Sequence, residues 1–294
     1  MISDDLIAGH YGQPDLVTGI RRGLTESGIS ISSVTIDDLA VVDEFHVGGR
    51  AATESFLAGL ELEPEMHVLD VGCGLGGPAR FGASRYDCRV TGIDLTPSFI
   101  EAAQVLTDWV GLSDRVAFEN CAAQDMTFPK RTFDAAYLLH VGMNVADKTG
   151  LFAAIAKVLK PGAKLGVYDL MRTDTGDLTF PVPWASTSAT SLVATQSSYE
   201  ASLVDAGFDL VSVRDRHEVA AAFVSMIRSQ DNVAAQPPPL GLHLLIGSDG
   251  PTKLANVVAA LDAGILSPIE IVATRRQRGG AGPGARLRPA SFDE

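Results

Sequence analysis

The sequence contains no apolar run long enough to span a bilayer, so no transmembrane helix is expected. Its first residues, MISDDLIAGHYGQPD, carry acids and no long apolar stretch, which argues against a signal peptide. Cysteine is scarce. Cys73, Cys88 and Cys121 show no C-x-x-C spacing, and an odd count argues against a disulfide framework. The six histidines are scattered without metal-ligand spacing, so no metal site is expected. Positive charge is also in deficit: 23 basic residues face 36 acidic ones, a net charge of −13. That balance repels phosphate backbones and anionic membranes, and argues against both as partners. A reducing cytoplasm is the expected compartment.

What is present suits a globular enzyme. The chain is 46% hydrophobic and 20% charged, enough to bury a sizeable core. Residues 1–60 read as a helical leader. Leu16, Ile20 and Leu24 lie at helical spacing before Gly28, Thr35 caps a short turn with Asp37 and Asp38, and a second helix runs from Arg50 to Leu60. From residue 66 short apolar strands alternate with helices. Strands are expected at 66–71, 89–94, 116–119, 133–139, 164–170, 208–213 and 269–274, with helices at 79–86, 97–110, 148–159 and 198–206. This rhythm predicts an α/β fold: a mostly parallel sheet with helices on both faces. The Thr/Ser/Pro-rich stretch 171–195 and the helical stretch 217–265, broken by three prolines, read as insertions. The Gly/Arg/Pro-rich tail 276–294 reads as disordered.

The chemistry concentrates between Val68 and Asp94. A strand ends in the turn Gly72-Cys73-Gly74-Leu75-Gly76-Gly77, which leads into a helix. Such a turn lets a ligand approach the backbone, because glycine lacks Cβ and tolerates positive φ. The second strand ends in Asp94, whose carboxylate can accept hydrogen bonds from two ribose hydroxyls. Gly72, Gly74 and Gly77 formally spell the dinucleotide pattern G-x-G-x-x-G, and Asp94 lies where that pattern wants an acid. An NAD-dependent oxidoreductase therefore competes. Asp70 separates the two readings. A carboxylate beside a pyrophosphate is repulsive, whereas beside a cationic sulfonium ligand with a free amino group it is favourable.

These residues resemble the class I S-adenosylmethionine-dependent methyltransferases. Val68-Leu69-Asp70-Val71-Gly72-Cys73-Gly74-Leu75-Gly76-Gly77 looks like that family's first motif, and Gly92-Ile93-Asp94-Leu95-Thr96-Pro97 like its ribose-binding second. Phe133 to His140 resembles its fourth strand, and Leu159-Lys160-Pro161-Gly162-Ala163-Lys164-Leu165 the turn before its fifth. Within the class the chain is similar to bacterial small-molecule methyltransferases of the sarcosine/dimethylglycine and quinone-biosynthesis type. The resemblance implies a Rossmann-like seven-stranded sheet with an antiparallel last strand, and a leader that folds over the site as a lid. It also implies a methyltransferase domain over 61–275, with 171–195 and 217–265 as substrate cap.

Carried onto this sequence, the motifs imply cofactor contacts from Asp70, Gly72, Gly74, Gly76, Asp94, Leu95, Ala123, Gln124 and His140. Ala122 departs from the pattern, since the family usually has an acid there to read the adenine. His140, at the end of strand four, is the candidate base, with Asn144 and Tyr11 as further catalytic candidates. For His140 the competing reading is a histidine that only hydrogen-bonds its loop. His46, Arg50, Met143 and Trp184 are candidate substrate contacts. The implied reaction moves a methyl group from S-adenosyl-L-methionine to a small molecule, an amine nitrogen being favoured, and leaves S-adenosyl-L-homocysteine. A protein that binds the cofactor without transferring methyl is the remaining alternative, and a homodimer stays open.

Overall fold

The computed structural model describes residues 15–173, 176–231 and 238–277. Seven strands form one sheet: β1 (His67–Val71), β2 (Arg89–Asp94), β3 (Val116–Asn120), β4 (Phe133–Leu139), β5 (Leu159–Arg172), β6 (Phe208–Asp215) and β7 (Leu266–Arg275). Their order is β3-β2-β1-β4-β5-β7-β6. The first five pair in parallel. β7 inserts between β5 and β6, antiparallel to both. The sheet read from sequence is therefore the sheet observed, antiparallel last strand included. That strand also sets the fold apart from the all-parallel dinucleotide sheet.

Alternation along the strands divides the core. Leu69, Val71, Ala136 and Leu138 face one side, where α6 (Lys148–Val158) and α7 (Gln196–Asp205) cover them. Val68, Ala135 and Tyr137 face the other, under α3 (Gly49–Ala58), α4 (Gly77–Tyr86) and α5 (Pro97–Trp109). Asp70 shares the parity of Val68, so an acid stands in the middle of a buried apolar strand.

From residue 15 onward the leader is tied down by buried side chains. In α1 (Leu16–Glu26), Ile20 and Leu24 are fully buried, as is Leu39 of α2 (Ile36–Asp43). Each such side chain contributes ~1.5–3 kcal/mol relative to exposure. The short turn expected at Thr35 is instead the start of an eight-residue helix. Thr35 Oγ1 accepts from the Asp38 N–H at 3.2 Å, and Asp38 Oδ2 accepts from the Thr35 N–H at 2.9 Å. This reciprocal capping box satisfies two N–H groups that the start of the helix would otherwise leave free.

On the other flank, α8 (His217–Asp231) and α10 (Gly250–Asp262) meet the segment 178–193 in one apolar cluster that also takes in Val47 and Met143. A short α9 (His243–Ile246) packs with α1 instead. Among the described residues, no helix is long and apolar enough to cross a membrane.

Candidate active site

The turn after β1 is shaped by two approaches. Gly72 has φ 73°, and a Cβ there would lie 2.4 Å from Val141 Cγ2, so the turn packs against the loop that follows β4. Gly74 has φ 53°, and a Cβ there would meet nothing within 4 Å. The backbone at Gly74 thus faces open space that a side chain would fill. Asp94 fixes this turn. Its Oδ2 accepts from the Gly74 N–H and its Oδ1 from the Thr96 N–H, both at 2.9 Å. Each oxygen keeps a lone pair for a ligand.

Asp70 is 1% exposed, and the Tyr137 hydroxyl donates to it at 3.2 Å. Burial pushes its carboxyl well above the usual range, and the Tyr137 hydrogen bond pulls it back only partly. A buried acid with a single neutral donor is costly unless a cation joins it.

These groups line one cavity of about 370 Å³, within the range of small-molecule sites. Ala122, Ala123 and Gln124 line it beside the turn, together with Leu95. The run that departs from the third motif at Ala122 still reaches the site.

The end of β4 supplies the polar centre of the other half. His140 has φ 55°, and its ring stacks on Tyr168 with centroids 5.6 Å apart. The His140 backbone N–H donates to the Tyr168 carbonyl at 2.8 Å. Its Nε2 is buried and has no hydrogen-bond partner. The His46 ring lies 5.9 Å away, and His46 Nε2 is 3.1 Å from both the Gly49 carbonyl and Thr53 Oγ1. Burial holds both imidazoles down, His46 to about 4 and His140 well below 6.5. Both are neutral at physiological pH, and a neutral imidazole can accept a proton.

The cavity brings together most of the residues singled out from sequence. Asp70, Gly72, Gly74, Asp94, Leu95, Ala123, Gln124, His46, His140, Met143, Asn144 and Trp184 all line it. Trp184 is 6% exposed, and its Nε1 donates to Ser191 Oγ at 3.1 Å. Two residues are elsewhere. Gly76 is outside the lining, and a Cβ on it would run into the Phe118 ring. Arg50, read as a substrate contact, is also outside. Its Nε donates to Glu44 at 2.6 Å, its Nη1 to Asp37 at 3.0 Å, and its guanidinium covers the Phe81 ring. The acids six and thirteen residues before Arg50 satisfy it. Tyr11 lies outside the described residues.

Asp43 and Arg80 were not legible. Arg80 is fully buried in α4, and its Nη2 donates to Asp43 Oδ2 at 2.6 Å and to the Leu75 carbonyl at 2.7 Å. Its Nη1 reaches Thr107 Oγ1 at 2.9 Å. Asp43 lines the cavity, so this ion pair joins the leader to the glycine turn. Burial pushes the Asp43 carboxyl upward against the pull of Arg80. The available signal was an arginine on the apolar side of GPARFGASRY; nothing local marked Asp43. Asp169 was missed as well. It is fully buried below the loop after β4, accepting from the Gly142 N–H and the Tyr199 hydroxyl, each at 3.0 Å. Among the described residues, no group of three or more histidine, cysteine or acidic side chains is arranged to hold a metal.

Known proteins share both the sequence pattern and the fold. Residues 68–162 match a family model described as a methyltransferase domain. The chain is 36% identical over 172 residues to phosphoethanolamine N-methyltransferase 3 of Arabidopsis thaliana, covering 58% of this chain and 34% of that one. The chain spans about a quarter to a third of the length of the curated relatives it matches. A geranyl diphosphate C-methyltransferase from Streptomyces coelicolor, solved with Mg2+, geranyl-S-thiolodiphosphate and S-adenosyl-L-homocysteine, superposes with a TM-score of 0.67 at 17% identity. That match covers 92% of this chain and 97% of the other. A putative sarcosine dimethylglycine methyltransferase from Galdieria sulphuraria gives 0.61 at 16%, covering 77% and 85%. Residues 68–162 are thus a methyltransferase domain, and the chain has the fold of the S-adenosylmethionine-dependent methyltransferases.

Proposed function

We propose that the protein transfers a methyl group from S-adenosylmethionine to the amine nitrogen of a small molecule. The observation that carries this reading is the open backbone at Gly74, flanked by the buried acids Asp70 and Asp94, in one cavity with the unpartnered Nε2 of His140. The donor set fits the cofactor. Asp94 would take the ribose hydroxyls, Ala123 and Gln124 the adenine edge, and Asp70 the positive end of the ligand. When bound, the cofactor supplies an electrophilic methyl group on a sulfonium.

The chain's own residues then align, shield and deprotonate. His140 Nε2 accepts the hydrogen bond of the acceptor's N–H and takes its proton as the nitrogen gains a bond. Asn144, on the same loop, orients the acceptor. Met143 and Trp184, buried in the wall, keep water from the methyl. The leader 1–60 serves as lid, and the insertions 171–195 and 217–265 as cap. A cytoplasmic setting suits three unpaired thiols, two of them buried.

The test is to follow S-adenosylhomocysteine formation with matched amines, alcohols and thiols. Turnover of amines ahead of their oxygen and sulfur counterparts supports the reading. Turnover confined to thiols or to carbon acceptors overturns the choice of nitrogen.

A further inference from the structure

The cavity carries a charge pattern that methyl transfer itself does not demand. Asp43, Asp70, Asp94 and Asp147 line it, and no lysine or arginine does so among the described residues. Outside the described residues, the segments 1–14, 174–175 and 232–237 contain neither residue in their sequence, whereas the tail 278–294 contains Arg278, Arg286 and Arg288. The nearby cations are engaged elsewhere. Arg80 is held by Asp43, Thr107 and two carbonyls. Lys148 Nζ donates to the Val145 carbonyl at 3.1 Å and to the Leu192 carbonyl at 2.9 Å. The N-terminus of α6, which could otherwise receive an anion, is capped by Asp147, whose Oδ1 accepts from the Gly150 N–H at 2.8 Å. Beyond the polar groups of the glycine turn, of the run 122–124, of His46 and of the loop after β4, the wall is apolar. Val47, Met143, Leu170, Trp184, Phe223 and Val257 belong to one buried cluster and all face the cavity.

A phosphate or carboxylate placed there would lose its water and gain no cation, beside carboxylates that repel it. Sites for such groups normally provide arginine, lysine, an open helix N-terminus or a carboxylate-held metal ion, and among the described residues no group of three or more histidine, cysteine or acidic side chains is arranged to hold one. An apolar body would instead be desolvated favourably along its whole length.

Resting on the methyltransferase reading, we infer that the acceptor is an apolar molecule without phosphate or carboxylate, whose one polar requirement is the N–H or O–H beside His140. This separates the chain from relatives and neighbours whose names carry phosphoethanolamine or geranyl diphosphate.

The experiment is calorimetry on the full chain with geraniol, geranylamine, geranyl diphosphate and phosphoethanolamine, each with and without S-adenosylhomocysteine. Geraniol and geranylamine are expected to bind at least about tenfold more tightly than geranyl diphosphate, with phosphoethanolamine weakest of all. Trp184→Arg should narrow that gap, and if this variant does not fold, the wild-type comparison still decides. Geranyl diphosphate binding as tightly as geraniol overturns the inference. So does binding of S-adenosylhomocysteine with no binding of either uncharged or amino compound, and in that case the cofactor reading stands. Geraniol binding without any S-adenosylhomocysteine binding overturns the cofactor reading and leaves the apolar character of the cavity supported.

Discussion

In the proposed reaction His140 and Asp94 do different work, and substitution should separate them. His140→Asn keeps a polar group of similar reach but removes the basic nitrogen. It should lower kcat by about 10²–10⁴-fold while leaving S-adenosylhomocysteine affinity nearly unchanged. Because burial holds His140 well below 6.5, the acid limb of the wild-type rate profile should lie below that value, with no inflection at it. Unchanged turnover in the variant, measured on a true acceptor, would return His140 to a loop-bonding role. Asp94→Ala removes the acceptor for the Gly74 and Thr96 N–H groups as well as for the ligand. A loss of ~1.5–3 kcal/mol of cofactor binding, ten- to a hundredfold, is expected by titration. Both residues were placeable in the cavity from sequence, because that placement is local. One ends a strand before a glycine turn's partner helix, and the other ends the strand before a loop. Arg50 was not, because its role is set by Glu44 and Asp37, on the helix and turn that precede it.

Helix α2 reaches the glycine turn through the packing of Leu39 and Val42 with Leu75 and through a buried ion pair, Asp43 with Arg80. Removing one member strands the other charge in the core. Arg80→Met should therefore cost ~3–5 kcal/mol in urea denaturation, and weaken cofactor binding as well. Asp43→Asn combined with Arg80→Met should recover part of that loss, since no net charge is then left buried. A double variant no better than the single one would mean that Arg80 acts through packing alone. At this scale the sequence showed elements well and their purposes poorly. The strands and helices around the sheet, β7 included, followed from the alternation of apolar runs, and the antiparallel direction of β7 followed from family resemblance. The tie between α2 and α4 joins residues 37 positions apart, which no local pattern encodes.

For the molecule as a whole, the buried acids set how stability answers to pH. Burial raises Asp169 from 3.8 to about 7, against the hydrogen bonds from Tyr199 and Gly142. A carboxyl raised in the folded state favours folding when protonated. Its contribution is complete below about 3.8 and is lost as pH rises toward 7. Asp169→Asn removes that titration, so the variant should lose less stability between those limits than the wild type, by up to ~4 kcal/mol. Chemical denaturation at several pH values reads the difference, and parallel curves would show that Asp169 does not titrate there. The cap was the least legible part of the chain. Trp184, Phe223 and Val257 meet only because three separated segments converge on Met143 and Val47. Trp184 could be singled out as a candidate substrate contact, whereas Phe223 and Val257 alone read as ordinary core residues. What the sequence could supply was the deficit of positive charge over the whole chain.

The most direct test of the central claim is calorimetric titration of the purified chain with S-adenosylmethionine, S-adenosylhomocysteine and NAD. Binding of the first two, none of NAD, and a ten- to hundredfold loss of affinity in Asp94→Ala is the predicted result. Binding of NAD alone, or binding of S-adenosylmethionine that Asp94→Ala leaves untouched, would contradict it.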